Sequence, residues 1–385
     1  MSRSKTIDIL RAIAVIAVLG RHMHVCPPEV SAALYHLTTG WQQAGWAGVD
    51  LFFVLSGFLI SGLLFREHKR YGSISFRHFF VRRGLKIYPP FLVMILLTVV
   101  MLTLIDGGFV RIYLARELLF LQNYGGGLWN HTWSLAVEEH FYLLLPLLLI
   151  ISLRIRRPGG DDFAWIPMCF LVIAALCLGL RVYTAVRYPN FDHMTHIFPT
   201  HLRIDSLFAG VLVGYLYHYK SERFWQAVHQ YRNLYCLVAL ALFTLPVLFV
   251  LEETPWMYTI GLSLLWVAGS LLLLAYVHSD PGDSWFVRVL AFIGSRSYSI
   301  YLWHMVMATW GIDLARTLAG PAWNWYAYAL CYLVGSVLLG TGMAYLVETP
   351  VLRLRDLWFP SRSQTPAQEA QPPEGQIKAS GLPVL

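Results

Sequence analysis

Asp8-Ile9-Leu10-Arg11-Ala12-Ile13-Ala14-Val15-Ile16-Ala17-Val18-Leu19-Gly20-Arg21-His22-Met23-His24 is the stretch on which the reading of this chain turns. It reads as a membrane-spanning helix that carries an acid, two arginines and two histidines. A charged group at the bilayer centre costs on the order of 3 kcal/mol on insertion scales, so it is rarely retained without a task. Eleven residues separate Arg11 from His22. At about 100° per residue that spacing returns to within roughly 20° of the starting direction, and at 1.5 Å per residue it spans about 16 Å. One helix face therefore holds a fixed cation and, about three turns along, a titratable imidazole.

Composition agrees with a membrane setting. Of 385 residues, 57% are hydrophobic and 13% charged, and mean hydropathy is +0.54. Soluble domains carry about 25% charged residues, so the fold class is an all-α polytopic membrane protein. The net charge of +7 is assigned to cytoplasmic loops rather than to nucleic acid, since no basic soluble domain interleaved with aromatics is present. Cys26, Cys169, Cys177, Cys236 and Cys331 are scattered without metal-type spacing, which supports neither a metal site nor a disulfide framework. The first apolar run follows Arg3 and Lys5 as a signal peptide would. It lacks a small-residue cleavage site and contains Asp8 and Arg11, so it is expected to be retained.

Ten apolar segments are expected to span: Ile7–Val25, Ala44–Phe65, Tyr88–Ile105, Trp133–Leu153, Ala164–Val186, Ile204–Tyr219, Leu234–Leu251, Met257–Val277, Phe292–Leu314 and Trp323–Val347. Arg66, Lys69, Arg70, Arg77, Arg82, Arg83 and Lys86 fall in the second connection. Arg154, Arg156 and Arg157 fall in the fourth, and Lys220, Arg223 and Arg232 in the sixth. Connections of the other parity are poor in cations; Ala32–Gln43, read as a loop, has none. This alternation predicts cytoplasmic N and C termini. Phe76–Lys86 is expected to lie along the cytoplasmic interface before the third span. Residues 1–359 form the membrane domain, and 360–385, rich in Pro, Gln, Ser and Glu, a disordered cytoplasmic tail.

The same topology sorts the polar residues. Asp8, Arg11, Arg82, Arg83 and Lys86 fall toward the cytoplasm. His22, His24, Asp50, Glu138, Glu139, Arg203 and Asp205 fall toward the outside, with His304 near mid-membrane. Arg82, Arg83 and Lys86 read either as an anion-binding mouth or as positive-inside anchors. Glu138 and Glu139 lie two turns into their helix, too deep for a cap. Asp50, Arg203 and Asp205 read either as functional groups or as salt bridges at helix ends, and His304 either as functional or as a hydrogen-bonding group between helices.

The motifs then become specific. Leu10-Arg11-Ala12-Ile13-Ala14 with Arg-x10-His resembles the first-helix motif of the acyltransferase family 3 membrane proteins. Gly48-Val49-Asp50-Leu51-Phe52-Phe53-Val54-Leu55-Ser56-Gly57-Phe58-Leu59-Ile60 resembles the second-helix block, and Phe80-Val81-Arg82-Arg83-Gly84-Leu85-Lys86-Ile87-Tyr88-Pro89 the third. Trp133-Ser134-Leu135-Ala136-Val137-Glu138-Glu139-His140-Phe141-Tyr142 resembles the fourth. Arg203-Ile204-Asp205-Ser206-Leu207, Ser297-Tyr298-Ser299-Ile300-Tyr301-Leu302-Trp303-His304 and Glu348-Thr349-Pro350 complete the order. Lys86 departs from the usual arginine, keeping the charge but losing the bidentate fork. His140 stands where glutamine is usual, and Ala12 where glycine is common.

The resemblance implies an integral-membrane O-acyltransferase of the bacterial cytoplasmic membrane, moving an acyl group, commonly acetyl, from acyl-CoA to a hydroxyl of a carbohydrate or glycoconjugate. It implies no metal, no nucleic acid, and membrane lipid as the surroundings. His22 would be catalytic with Arg11 its motif partner, and Glu138 or Glu139 would orient the imidazole or bind the acceptor. Arg83 and Lys86, with Arg82 beside them, would hold the CoA donor. Asp50, Trp133, Arg203, Asp205 and His304 would face the acceptor. General-base and acyl-histidine mechanisms are both open. The acceptor could be a surface polysaccharide, a lipid-linked sugar, a periplasmic glucan or a small glycoside. With no hydrolase-like domain in this sequence, the membrane unit is expected to act alone or with a separate partner. The alternative is a proton-coupled transporter, in which His22, Glu138 and Glu139 relay protons; no internal repeat supports it.

Overall fold

The computed structural model describes residues 4–105, 107–155, 161–320 and 323–363. The readings placed on Arg3, Arg156, Arg157 and tail residues 364–385 lie outside the described residues. Among those described, regular structure is helical throughout, with no strand. The helices that matter to the site are α1 (Lys5–His22), α2 (Trp46–Tyr71), α3 (Phe76–Ile105), α4 (Trp133–Ile155), α5 (Ile166–Arg187), α6 (Ile204–Tyr219), α7 (Arg232–Phe243), α8 (Leu262–Tyr276), α9 (Trp285–Ser295), α10 (Ser297–Val306), α11 (Trp325–Met343) and α12 (Thr349–Trp358).

Six helices among the described residues are long and apolar enough to cross a membrane. A seventh span results if Glu222–Gln230 and Arg232–Leu248, bent by 62°, are taken together. The other three predicted spans fall short for identifiable reasons. Helix α1 carries Lys5, Asp8, Arg11 and Arg21. Helix α6 has 16 residues, about 24 Å of rise against a hydrocarbon core of about 30 Å. The ninth segment is interrupted at Arg296, between α9 and α10.

Two local expectations are corrected. Ala32–Ala44, read as a loop, is a helix whose first turn is capped by Ser31 accepting the Leu34 N–H. Phe76–Lys86 is no separate interfacial piece, because α3 runs unbroken from Phe76 through Pro89 and Pro90. Those prolines remove two N–H donors from the ladder. In the turn they distort, the Ile87 carbonyl accepts the Tyr298 hydroxyl at 2.7 Å, which ties α3 to α10 one turn beyond Arg83 and directly after Lys86.

Helix α2 is the hub: 78% of the apolar 18-residue stretch in its span is buried, against 22% for those of α5 and α11. The peripheral helices present apolar side chains outward, Leu96, Leu171 and Leu330 among them, as lipid requires. Helix α6 packs directly on α2. A Cβ at Gly57 would run into the Leu207 carbonyl, and one at Gly210 into the Val54 carbonyl. Small residues at such crossings let backbones approach closely where no hydrophobic effect drives association. Helix α1 lies between α2 and α9 and touches α10. Its Arg11 end is called basal below, and its His22 end apical.

Candidate active site

Three cavities that share lining residues in sequence lead from the Arg11 end of α1 to its His22 end. The basal one, about 320 Å³, is lined by Asp8, Arg11, Leu59, Arg66, Lys86 and Glu348 among others. The central one, about 260 Å³, shares Arg11, Leu59, Arg66 and Lys86 with it and adds Ser56, Arg83, Glu138, Tyr142, Tyr298 and Tyr301. The apical cleft, about 50 Å³, shares Val49 and Tyr301 with the central cavity and is lined by Arg21, His22, Trp46, Asn130, His131 and Trp133. Arg11 thus lines the basal and central cavities, and His22 lines the apical cleft that adjoins the central one at Val49 and Tyr301.

The polar wall of the central cavity is built by α2, α3 and α4. Arg83 and Lys86, one turn apart, both face it. Arg83 donates to the Tyr142 hydroxyl at 3.1 Å and lies over the same ring, 4.7 Å from its centroid. Tyr142 in turn donates to Glu138 Oε2 at 3.0 Å, and Ser56 donates to Glu138 Oε1 at 2.5 Å. Both oxygens of Glu138 are therefore engaged on the Arg83 side of the cavity. Arg83 and Glu138, sorted to opposite membrane halves from sequence, are joined through Tyr142. Glu139 points elsewhere, accepting from Tyr88 at 2.9 Å while buried.

At the apical end three histidines cluster. The ring of His304 lies 5.1 Å from that of His22 and 5.2 Å from that of His131. Tyr301 donates to the His131 carbonyl at 2.7 Å and shares a 2.6 Å hydrogen bond with Ser134. Among the described residues, no three His, Cys, Asp or Glu side chains are grouped so as to hold a metal ion.

Other site candidates are paired with one another or with neighbouring helices. Asp50 accepts from Arg203 at 2.9 Å and from Ser206 at 3.1 Å. Arg203 also lies between the rings of Phe53 and Trp133. Asp205 pairs with Arg181 and accepts the Trp266 indole N–H at 3.0 Å. All four charges are buried, and Asp50, Arg203 and Asp205 line none of the three cavities. The salt bridges that the sequence offered as one alternative are present. Arg82 turns away from the cavities as well, donating to Asp356 at 2.9 Å and to the Phe359 carbonyl, and so clamps α12 against α3. Trp133 lines the apical cleft.

Sequence reasoning missed several cavity residues. Ser56, Tyr142, Tyr298 and Tyr301 lie inside motifs whose charged members drew attention first, although Tyr142 stands four residues after Glu138 and so shares its face. Arg66 reads as an interfacial cation. His131 precedes α4 and carries no periodic signal.

Above the cleft, Arg21 donates to Glu252 at 2.5 Å, as does the Trp46 indole at 3.1 Å, and His193 approaches Glu252 within 3.5 Å. Burial alone would raise the Glu252 carboxyl, but His193 and Arg21 outweigh it and hold it down at about 2. A lowered carboxylate stabilises the fold above its ordinary value of 4.5, and that contribution is lost as pH falls toward 2. Between pH 5 and pH 3, thermal melts in detergent should therefore show a larger loss of stability for the wild type than for Glu252→Gln. Equal losses would mean the ion pair contributes nothing.

Comparison with known proteins agrees with this geometry. The model of a family described as "Acyltransferase domain" matches residues 4–345. A protein named "Putative O-acetyltransferase" from Staphylococcus aureus strain COL is 29% identical over 326 residues, covering 78% of this chain and 50% of its own. The peptidoglycan O-acetyltransferase OatA of Listeria monocytogenes is 26% identical over 372 residues, covering 90% of this chain and 55% of its own. The chain thus spans about half the length of the curated relatives it matches. No solved structure matches it. A match over nearly the whole membrane region places this chain in the acyltransferase family 3 membrane proteins.

Proposed function

We propose that this chain is an integral-membrane O-acyltransferase that moves an acyl group, acetyl in the simplest case, from cytoplasmic acyl-CoA to a hydroxyl of a carbohydrate acceptor. The observation that carries the reading is the path itself, with Arg11, Arg66, Arg83 and Lys86 at its basal and central part and His22 at its apical end. CoA is a polyanion with a long, thin arm. Cations at a basal mouth suit its phosphates, and the arm is long enough to cover much of the roughly 16 Å from Arg11 to His22. Termini on the cytoplasmic side would put that mouth where acyl-CoA is made. The acceptor would enter from the opposite face of a bacterial cytoplasmic membrane. The name of the Listeria relative favours a cell-wall glycan as the acceptor class.

In this reading neutral His22 takes the proton of the acceptor hydroxyl as its oxygen attacks the thioester carbonyl. The new O–C bond forms, the C–S bond breaks, and the departing CoA thiolate receives the proton from the imidazolium. Tyr301, shared by the central cavity and the apical cleft, stands where the two substrates would meet.

Thioester-dependent acylation of a glycan by purified protein, followed by release of free thiol, tests the reading; flux of substrate without modification would overturn it in favour of transport. Arg83→Ala and Lys86→Ala should each raise KM for acyl-CoA by about 10- to 100-fold, the equivalent of one charge-assisted hydrogen bond. Acceptor KM should stay within about twofold. A larger effect on acceptor KM would remove these residues from the donor site.

A further inference from the structure

We propose that His304 is the positioning residue of His22, a neutral imidazole in the place that a carboxylate occupies in most acid–base triads; this rests on the acyl-transfer reading above. His304 Nδ1 lies 2.6 Å from the Tyr301 carbonyl oxygen, and His131 Nε2 lies 3.2 Å from the Leu302 carbonyl oxygen. A carbonyl can only accept, so each of those nitrogens carries the hydrogen. In the neutral rings the other two nitrogens, His304 Nε2 and His131 Nδ1, are then bare acceptors. Both are buried without a hydrogen-bond partner, and His304 is 0% exposed. Buried polar atoms are seldom left that way, and an exception asks for an explanation.

Elimination identifies the donor for His304. Three rings touch it: those of His22, His131 and Tyr301. The Tyr301 hydroxyl is committed to the His131 carbonyl and Ser134, and the His131 N–H to Leu302. His22, which makes no side-chain hydrogen bond among the described residues and lines the apical cleft, is the ring with an N–H to give. A His22 N–H donated to His304 Nε2 leaves the second His22 nitrogen as the base presented to the cleft. Fixing the tautomer in this way is the task of the third triad member. Of the two carboxylates the sequence offered for it, Glu138 has both oxygens engaged by Ser56 and Tyr142, and Glu139 accepts from Tyr88. The ring of His131 packs edge-on against that of His304.

The pair His304→Gln and His304→Asn separates this role from simple packing. A glutamine amide oxygen reaches the position of Nε2, whereas that of asparagine reaches only that of Nδ1. His304→Gln should keep kcat within about tenfold of the wild type, and His304→Asn should lose about 100-fold or more, the scale of a misdirected general base. KM for acetyl-CoA and for the acceptor should stay within twofold in both. Equal kcat for the two variants, or losses confined to KM, would overturn the assignment while leaving acyl transfer intact. A wild type that transfers no acyl group from any acyl-CoA would overturn the functional reading and this inference with it. Histidine ¹⁵N spectra of the wild type give a readout free of folding effects: His304 protonated on Nδ1 supports the proposal, and protonation on Nε2 refutes it.

Discussion

His22→Ala should lower kcat for acyl transfer by about 10³-fold or more, within the 10² to 10⁴ range that a positioned general base contributes. The protein should still bind acyl-CoA, because Arg11 sits about three turns away along α1, and it and the cations on α2 and α3 face other cavities than the imidazole does. The measurement pairs steady-state release of free CoA thiol with calorimetric binding of a non-hydrolysable acyl-CoA analogue. Loss of turnover with retained binding is the expected split. Turnover retained in folded, membrane-inserted His22→Ala would sink the role of His22, and with it the purpose of the path. Loss of both would mean that the imidazole supports the helix rather than the reaction. The same variant also probes the covalent alternative: an acyl-histidine intermediate would accumulate in a wild-type burst without acceptor, whereas a general base gives no burst.

The first helix was the most legible part of this chain, because a helix has one geometry and the Arg-x10-His spacing carries it without help from neighbours. Spans with few charges were legible for a similar reason. What the sequence could not carry was partnership across helices. Arg83 and Glu138 were sorted to opposite halves of the membrane by topology, yet Tyr142 joins them, since long side chains from neighbouring helices reach toward one another across the cavity. The buried charges on α2 and α6 read as functional groups or as salt bridges with equal cause; only packing distinguishes them. His131 was silent because its role comes from a backbone carbonyl on α10, a partner with no sequence signature. Arg82, one residue from Arg83, shows the same limit. Adjacent helix positions lie about 100° apart, so one faces the cavity and its neighbour clamps α12.

The buried pairs make the largest stability prediction. Asp50→Ala should cost about 3–5 kcal/mol, the range for removing one partner of a buried ion pair, because Arg203 is then left charged, buried and short of acceptors. Arg203 already has Nε and one terminal nitrogen without a partner, so Asp50 and the rings of Phe53 and Trp133 are its main compensation. The variant should lose most of its folded yield and melt at markedly lower temperature in detergent. Replacing both partners, Asp50→Leu with Arg203→Met, removes the charges together and should recover most of that loss, as apolar replacements of buried pairs often do. The double variant also decides between the two readings of these residues. If they are structural, folded Asp50→Leu/Arg203→Met keeps acceptor KM near the wild-type value, as expected for side chains that line none of the three cavities. If Asp50 and Arg203 bind the acceptor, the double variant folds but shows an acceptor KM raised by an order of magnitude or more, the scale of a lost charged hydrogen bond. The two outcomes cannot be confused, since yield and melting report the ion pair while KM reports the site.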